Sequence, residues 1–149
     1  MREQFANALK EALKAKDTRR TSTVRLIQAA IKDRDIANRG QGKDAAGDDE
    51  IMQILSKMIK QRDESARIYD QGGRPELAEQ ERQEIVIINE FLPEQFSEEK
   101  VRELCVAIIQ ETGAQGLRDM GKVMNALKER YPGQMDFAKA SSIIKELLK

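Results

Sequence analysis

The sequence predicts an all-α protein: an N-terminal domain of about four helices, then a small three-helix tail domain, with no significant sheet. Between glycine and proline breaks the chain consists mostly of Ala, Leu, Lys, Glu, Arg and Gln, the good helix formers. Its apolar residues recur at three- and four-residue intervals, the period of one helix face. Only Ile85-Val86-Ile87-Ile88 has the β-branched density of a buried strand, and it lacks a partner strand and follows Glu76–Glu84 without a turn signal.

The breaks are Gly40, Gly42 and Gly47; Gly72, Gly73 and Pro75; Pro93; Gly113 and Gly116; and Pro132-Gly133. The first helix carries Phe5, Leu9 and Leu13. The second, capped by Asp17, carries Val24, Ile27 and Ile31. The third enters through Asp48 or Asp49 and carries Ile51, Leu55, Met58, Ile59 and Ala66. The fourth starts near Pro75 and turns Leu77, Ile85, Ile88 and Leu92 inward. Its β-branched run reads as a helix buried on two sides, the centre around which the others pack. The Gly40–Gly47 loop has no apolar residue larger than Ala and reads as mobile.

Pro93 stops the fourth helix at Leu92, because the residue before a proline avoids the helical region. The expected domains are therefore 1–92 and 93–149. In the tail, Ser97 caps a helix with Glu98 and Glu99 in its first turn and Val101, Leu104, Cys105 and Ile108 inside. A sixth helix, opened by Asp119, carries Met120, Val123, Met124 and Leu127. A seventh begins near Asp136 and carries Phe137, Ala140, Ile144 and Leu147.

Composition narrows the function. Among 149 residues there is no histidine, so imidazole bases and His-ligated metal sites are excluded. The single cysteine, Cys105, allows no internal disulfide and suits a reducing cytoplasm. No apolar stretch reaches the ~20 residues that span a bilayer, and Met1–Phe5 has no signal-peptide core. The expectation is a soluble cytoplasmic protein with no membrane partner.

Lys plus Arg equals Asp plus Glu at 26 each, yet the charge is uneven. Residues 1–34 hold nine basic against four acidic side chains, 44–103 eight against sixteen, and 117–149 seven against four. In the last helix Ala140, Ile143, Ile144, Leu147 and Leu148 share one arc, and Lys139, Ser142, Lys145 and Lys149 the opposite one. Arg118, Lys122, Lys128 and Arg130 add to this, with Glu129 diluting them. Such a patch can neutralise several phosphates. With Tyr69 and Tyr131 the only tyrosines and no Trp, single-strand stacking is disfavoured, and backbone or shape recognition of a structured nucleic acid remains. An ordinary solvated face explains the charge as well.

Other constellations are weaker. Asp119-Met120-Gly121-Lys122 could hold a phosphate at a helix start, or simply cap the helix with Gly121 allowing close approach. Asp63 with Glu64, and Glu79 with Glu81, read as surface ion-pairing groups rather than acid–base pairs. Ser141-Ser142 with Lys145 lacks any oxyanion hole. Cys105 and Met52, Met58, Met120 and Met124 read as core. No residue is assigned a catalytic, cofactor-binding or metal-ligating role.

The strings Val24-Arg25-Leu26-Ile27, Lys60-Gln61-Arg62-Asp63-Glu64-Ser65 and Gly73-Arg74-Pro75-Glu76-Leu77-Ala78 occur in order. So do Phe91-Leu92-Pro93-Glu94-Gln95-Phe96-Ser97, Asp119-Met120-Gly121-Lys122-Val123-Met124, and Gly133 and Asp136 leading into Ser141, Ile144 and Lys145. Together, over nearly the whole chain, they resemble the YqeY family, whose C-terminal part is similar to the tail of GatB, a subunit of the tRNA-dependent amidotransferase. The resemblance implies a helical domain joined to a helical tail, and tRNA binding through that tail. The cations of the tail that would meet the tRNA backbone are Arg118, Lys122, Lys128, Lys139 and Lys145. It also brings a family label of carbon–nitrogen ligase activity with glutamine as amido donor. The domain that performs ATP- and metal-dependent chemistry in GatB has no counterpart here, so the implied role is accessory to amidotransfer without a catalytic site. The alternative is a protein–protein adaptor with no nucleic-acid role, using the acidic middle helices or the 40–47 loop. The last turn, Gly133-Gln134-Met135-Asp136-Phe137-Ala138-Lys139, is less basic than in many relatives.

Overall fold

The computed structural model describes residues 1–149 and is all-α. Seven helices run α1 Arg2–Lys14, α2 Thr18–Gly40, α3 Asp48–Gln71, α4 Pro75–Asn89, α5 Glu98–Thr112, α6 Met120–Arg130 and α7 Phe137–Leu147, with a 3-10 turn at Leu117–Asp119 and no strand. The chain forms two compact units, Met1–Leu92 and Pro93–Lys149.

In the first unit α1 buries Phe5 and Ala12, while Leu13 is 50% exposed. An i, i+4, i+8 row drifts by ~40° per step around a helix. By the second step the i+7 residue, Ala12, has taken the inward place expected of Leu13. The helix closes with paired bonds in which Asp17 N donates to Ala12 O at 3.0 Å and Lys16 N to Leu13 O at 3.2 Å. Lys16 thereby adopts φ 56°, and the chain's other positive-φ residues are all glycines. A left-handed L-residue costs roughly 1–2 kcal/mol.

Asp17 caps α2 as expected, its Oδ1 accepting from Arg20 N at 3.0 Å. Val24, Ile27 and Ile31 point into the core, and α2 packs against α1, α3 and α4. The buried hydroxyls of Thr21 and Thr23 donate to Asp17 O and Arg19 O at 2.8 Å each. Gly47, not an aspartate, caps α3, and Asp48 and Asp49 lie in the first turn beside Glu50. There the three carboxylates complement the free N–H end of the helix.

The fourth helix departs from expectation twice. It ends at Asn89, three residues before Leu92. Glu90, Phe91 and Leu92 continue in i→i−3 bonds to Ile87 O, Ile88 O and Asn89 O, a tightening that ends a helix ahead of a proline. It is also buried on one side, with Ile87 and Ile88 inside and Val86 62% exposed. Four successive residues sweep ~300° of a helix, so they cannot all face one core. The pivot of this unit is α2 instead, and α4 pairs most extensively with α3.

The 40–47 segment is tied to the rest of its unit at Ala46. Arg2 donates through Nη1 and Nη2 to the Asp35 carboxylate at 2.9 and 2.8 Å, and through Nη2 to Ala46 O at 2.8 Å. Ala46 N donates back to Asp35 Oδ1 at 2.8 Å, and the Ala46 methyl is buried. Backbone groups, one ion pair and the buried Ala46 methyl together anchor this end of the loop.

In the second unit Ser97 Oγ accepts from Lys100 N at 3.2 Å and α5 ends on left-handed Gly113. Asp136 caps α7, accepting from Ala138 N at 2.9 Å. The three helices pack pairwise around Val101, Cys105, Ile108, Val123, Leu127, Ala140, Ile143, Ile144 and Leu148, with Met135 from the turn. Leu148 rather than Leu147 completes the inward row. Phe96 meets Tyr131 edge to face, centroids 5.5 Å apart, and closes one end.

The Arg2 guanidinium, then Ala46 N–H, lower the Asp35 pKa to about 2. Because the folded-state value lies below the unfolded one of ~3.9, the clamp's contribution is complete above that value and is lost as pH falls through about 2. Asp35→Asn should therefore lower the urea midpoint at neutral pH, and the gap to wild type should close on acidification. A gap independent of pH would contradict this assignment.

Candidate nucleic-acid interface

The cations singled out in the tail differ in what they do. Arg130 is committed: Nη1 and Nη2 donate to Glu111 at 2.7 and 2.6 Å, joining α6 to α5. Each raises the other's readiness to be charged, with the Glu111 pKa lowered and the Arg130 pKa raised. Arg102 and Glu146 form a second, looser pair at 3.4 Å.

Lys122 does not face the free N–H groups of α6. Its Nζ donates to Thr112 O at 3.0 Å, a cation set on the carbonyl end of α5. Asp119 makes no side-chain cap bond; its carboxylate accepts from Gln115 N at 2.8 Å and braces the glycine-flanked turn. The Asp119–Lys122 string therefore ties one helix to the next, and both of its charges already have partners. The last turn is likewise structural. Met135 seals the core, Gln134 O accepts from Phe96 N at 2.9 Å, and Gln95 Nε2 donates to Gly133 O at 2.6 Å.

Arg118, Lys128, Lys139 and Lys145 remain, all exposed and none in an ion pair, with Lys149 beyond them. Arg118 stands in the 3-10 turn, Lys128 on α6, and Lys139 and Lys145 on α7, on faces turned from the core. A six-residue spacing sets Lys139 and Lys145 ~120° apart around their helix. Exposed cations without carboxylate partners are free to meet phosphates.

Elsewhere, the remaining candidates resolve as structure. Asp63 binds Arg67 at 2.8 Å along α3. Glu84 takes Arg62 at 2.8 Å and Arg19 at 3.5 Å, and Glu81 beside it has its pKa raised by burial and then by Glu84. The Ser142 hydroxyl donates to Ala138 O at 3.3 Å. Cys105 is fully buried, which pushes its thiol pKa up, away from reactivity. No group of three His, Cys, Asp or Glu gathers to hold a metal, and no helix is long and apolar enough to cross a membrane.

The Yqey-like protein family matches residues 2–148. The chain belongs to that family. Its relatives include proteins named "Altered inheritance of mitochondria protein 41, mitochondrial". The one from Clavispora lusitaniae is 33% identical over 108 residues, 71% of this chain and 61% of that protein. The one from Candida glabrata is 34% identical over 88 residues, 58% and 46% respectively. The one from Vanderwaltozyma polyspora is 29% identical over 146 residues, 92% and 77%. The matched stretch thus covers under two thirds of the first two relatives.

Read on this YqeY-like chain, the family strings are mostly structural. Val24 and Ile27 enter the core while Arg25 and Leu26 stay outside; Arg62 takes Glu84; Pro75 opens α4 and Ala78 is buried. Sequence reasoning missed a groove of about 480 Å³ lined by Leu13, Lys16, Thr18, Thr21, Ser22, Arg25 and Leu26. The only signal for it was Leu26, an apolar residue off its helix's inward stripe.

Since Lys128, Lys139 and Lys145 are exposed and make no side-chain hydrogen bond or ion pair, replacing all three by alanine should shift unfolding free energy by no more than about 0.5 kcal/mol each. Leu127→Ala, at a fully buried position, should cost about 2–5 kcal/mol. Urea melts of both variants check the contrast.

Proposed function

We propose that the tail unit binds the phosphate backbone of tRNA, and that the chain serves tRNA-dependent amidotransfer as an accessory without a catalytic site of its own. The observation that carries this reading is that four cations of the tail, Arg118, Lys128, Lys139 and Lys145, are exposed and unpaired. Neighbouring arginines are neutralised by carboxylates, whereas these are left to solvent. Backbone contacts position a folded RNA without reading sequence, which suits a surface with no exposed stacking aromatic. Lys122 contributes at the edge, holding the α5–α6 junction while leaving its charge on the same unit. The carbon–nitrogen ligase label of the family describes, in this reading, the reaction the complex performs. The single sealed thiol fits work in a reducing compartment, the cytoplasm in our reading.

Titration of the protein with bulk tRNA at low and physiological salt tests this. Binding should weaken with salt, and a Lys128/Lys139/Lys145→Ala variant should bind more weakly with a log–log salt slope flatter by roughly 2–3. Absence of binding at low salt, or equal binding by the variant, would overturn the proposal.

A further inference from the structure

The groove between the end of α1 and the first turns of α2 combines features that the fold does not require. Its two leucines are half exposed, Leu13 at 50% and Leu26 at 46%. Both charges among its lining residues, Lys16 and Arg25, are positive and without ion pairs. The adjacent carboxylate, Asp17, is engaged by Arg20 through its backbone N at 3.0 Å and Nε at 3.5 Å. Thr18, Thr21 and Ser22 supply polar edges, although Thr21 and Ser22 already donate to Asp17 O and Arg19 O.

Lys16 is the telling residue. It occupies the one left-handed position in the chain not filled by glycine. Glycine there would fold with less strain, and the lysine side chain makes no hydrogen bond or ion pair that offsets it. Strain held at the edge of a groove is a pointer to function. Here what the strain retains is a positive charge beside two exposed leucines.

We infer that this groove docks an acidic amphipathic helix of a partner protein, with the helix's apolar row on Leu13 and Leu26 and its carboxylates facing Lys16 and Arg25. From Thr18 to Leu26 the floor runs ~12 Å along α2, about two helical turns. That length fits anchors at i and i+4 laid into a groove. A concave site receives projecting side chains, whereas a bilayer surface is met by convex ones. The inference is independent of the RNA-binding tail.

The test is fluorescence anisotropy of the full chain with two labelled synthetic peptides. One is helical with leucines at i and i+4 flanked by glutamates; the other has lysines in place of the glutamates. The acidic peptide should bind with salt-sensitive affinity and the lysine peptide should not. Leu26→Ser should weaken binding by roughly tenfold or more. Lys16→Gly should weaken it roughly twofold to fivefold while melting at or above the wild-type temperature. That separation of binding from stability is not expected of a merely structural lysine. No acidic-peptide binding, equal binding of both peptides, or binding untouched by either substitution would overturn the inference. So would a Lys16→Gly chain that melts lower, or displacement of the peptide by tRNA. A concentration-dependent dimer abolished by Leu26→Ser would assign the groove to a second copy, and Leu13- and Leu26-dependent binding to anionic vesicles would assign it to a membrane. Either result also overturns it.

Discussion

In the larger unit, Val24, Ile27 and Ile31 form the row on which α1, α3 and α4 converge. The chain has four phenylalanines and no tryptophan, so these β-branched side chains must fill space that aromatics fill elsewhere. Phe5 on Phe91, centroids 4.9 Å apart, is this core's one aromatic pair. Each of the two units has its own small core. The apolar stripes leave most of every helix to polar residues, and the surface chemistry is arranged within that limit.

Arginine and lysine divide the work on this surface. Every side-chain ion pair uses arginine: Arg2, Arg19, Arg20, Arg34, Arg62, Arg67, Arg82, Arg102 and Arg130. Several of these pairs join different helices, as Arg62 and Arg19 do through Glu84, and Arg20 through Glu90. The forked guanidinium matches a carboxylate in two-point geometry, which a lysine ammonium cannot do. Lysines are left on solvated faces, apart from the Lys122 contact with Thr112 O. The net charge of zero thus conceals fixed pairs and a mobile surplus, and the surplus lies on the tail and around the α1–α2 groove.

The helices were legible in the sequence because their apolar period is unmistakable, and the caps at Asp17, Ser97 and Asp136 because Asp and Ser just ahead of an apolar-periodic run accept from the free N–H groups of the first turn. What was not legible depended on small angular offsets or on contacts distant in sequence. Leu13 is two helical turns from Phe5, far enough for drift to carry it outward. The run Ile85–Ile88 exceeds what one face can bury. The Ala46 end of the 40–47 loop is anchored by Asp35 and by Arg2, which is 44 residues away in sequence. In the tail, the sequence names the cations but cannot say that Glu111 claims Arg130 or that Thr112 O claims Lys122. The groove at Lys16 was invisible because nothing in the local string marks a lysine as left-handed.

The central claim is that RNA meets the tail and leaves the α1–α2 groove free. Amide hydrogen exchange of the full chain, with and without bulk tRNA at low salt, tests it most directly. Slowed exchange confined to residues 117–149, with the 13–26 segment unchanged, is the predicted result. Slowed exchange at 13–26, or no change anywhere at saturating tRNA, would contradict the account.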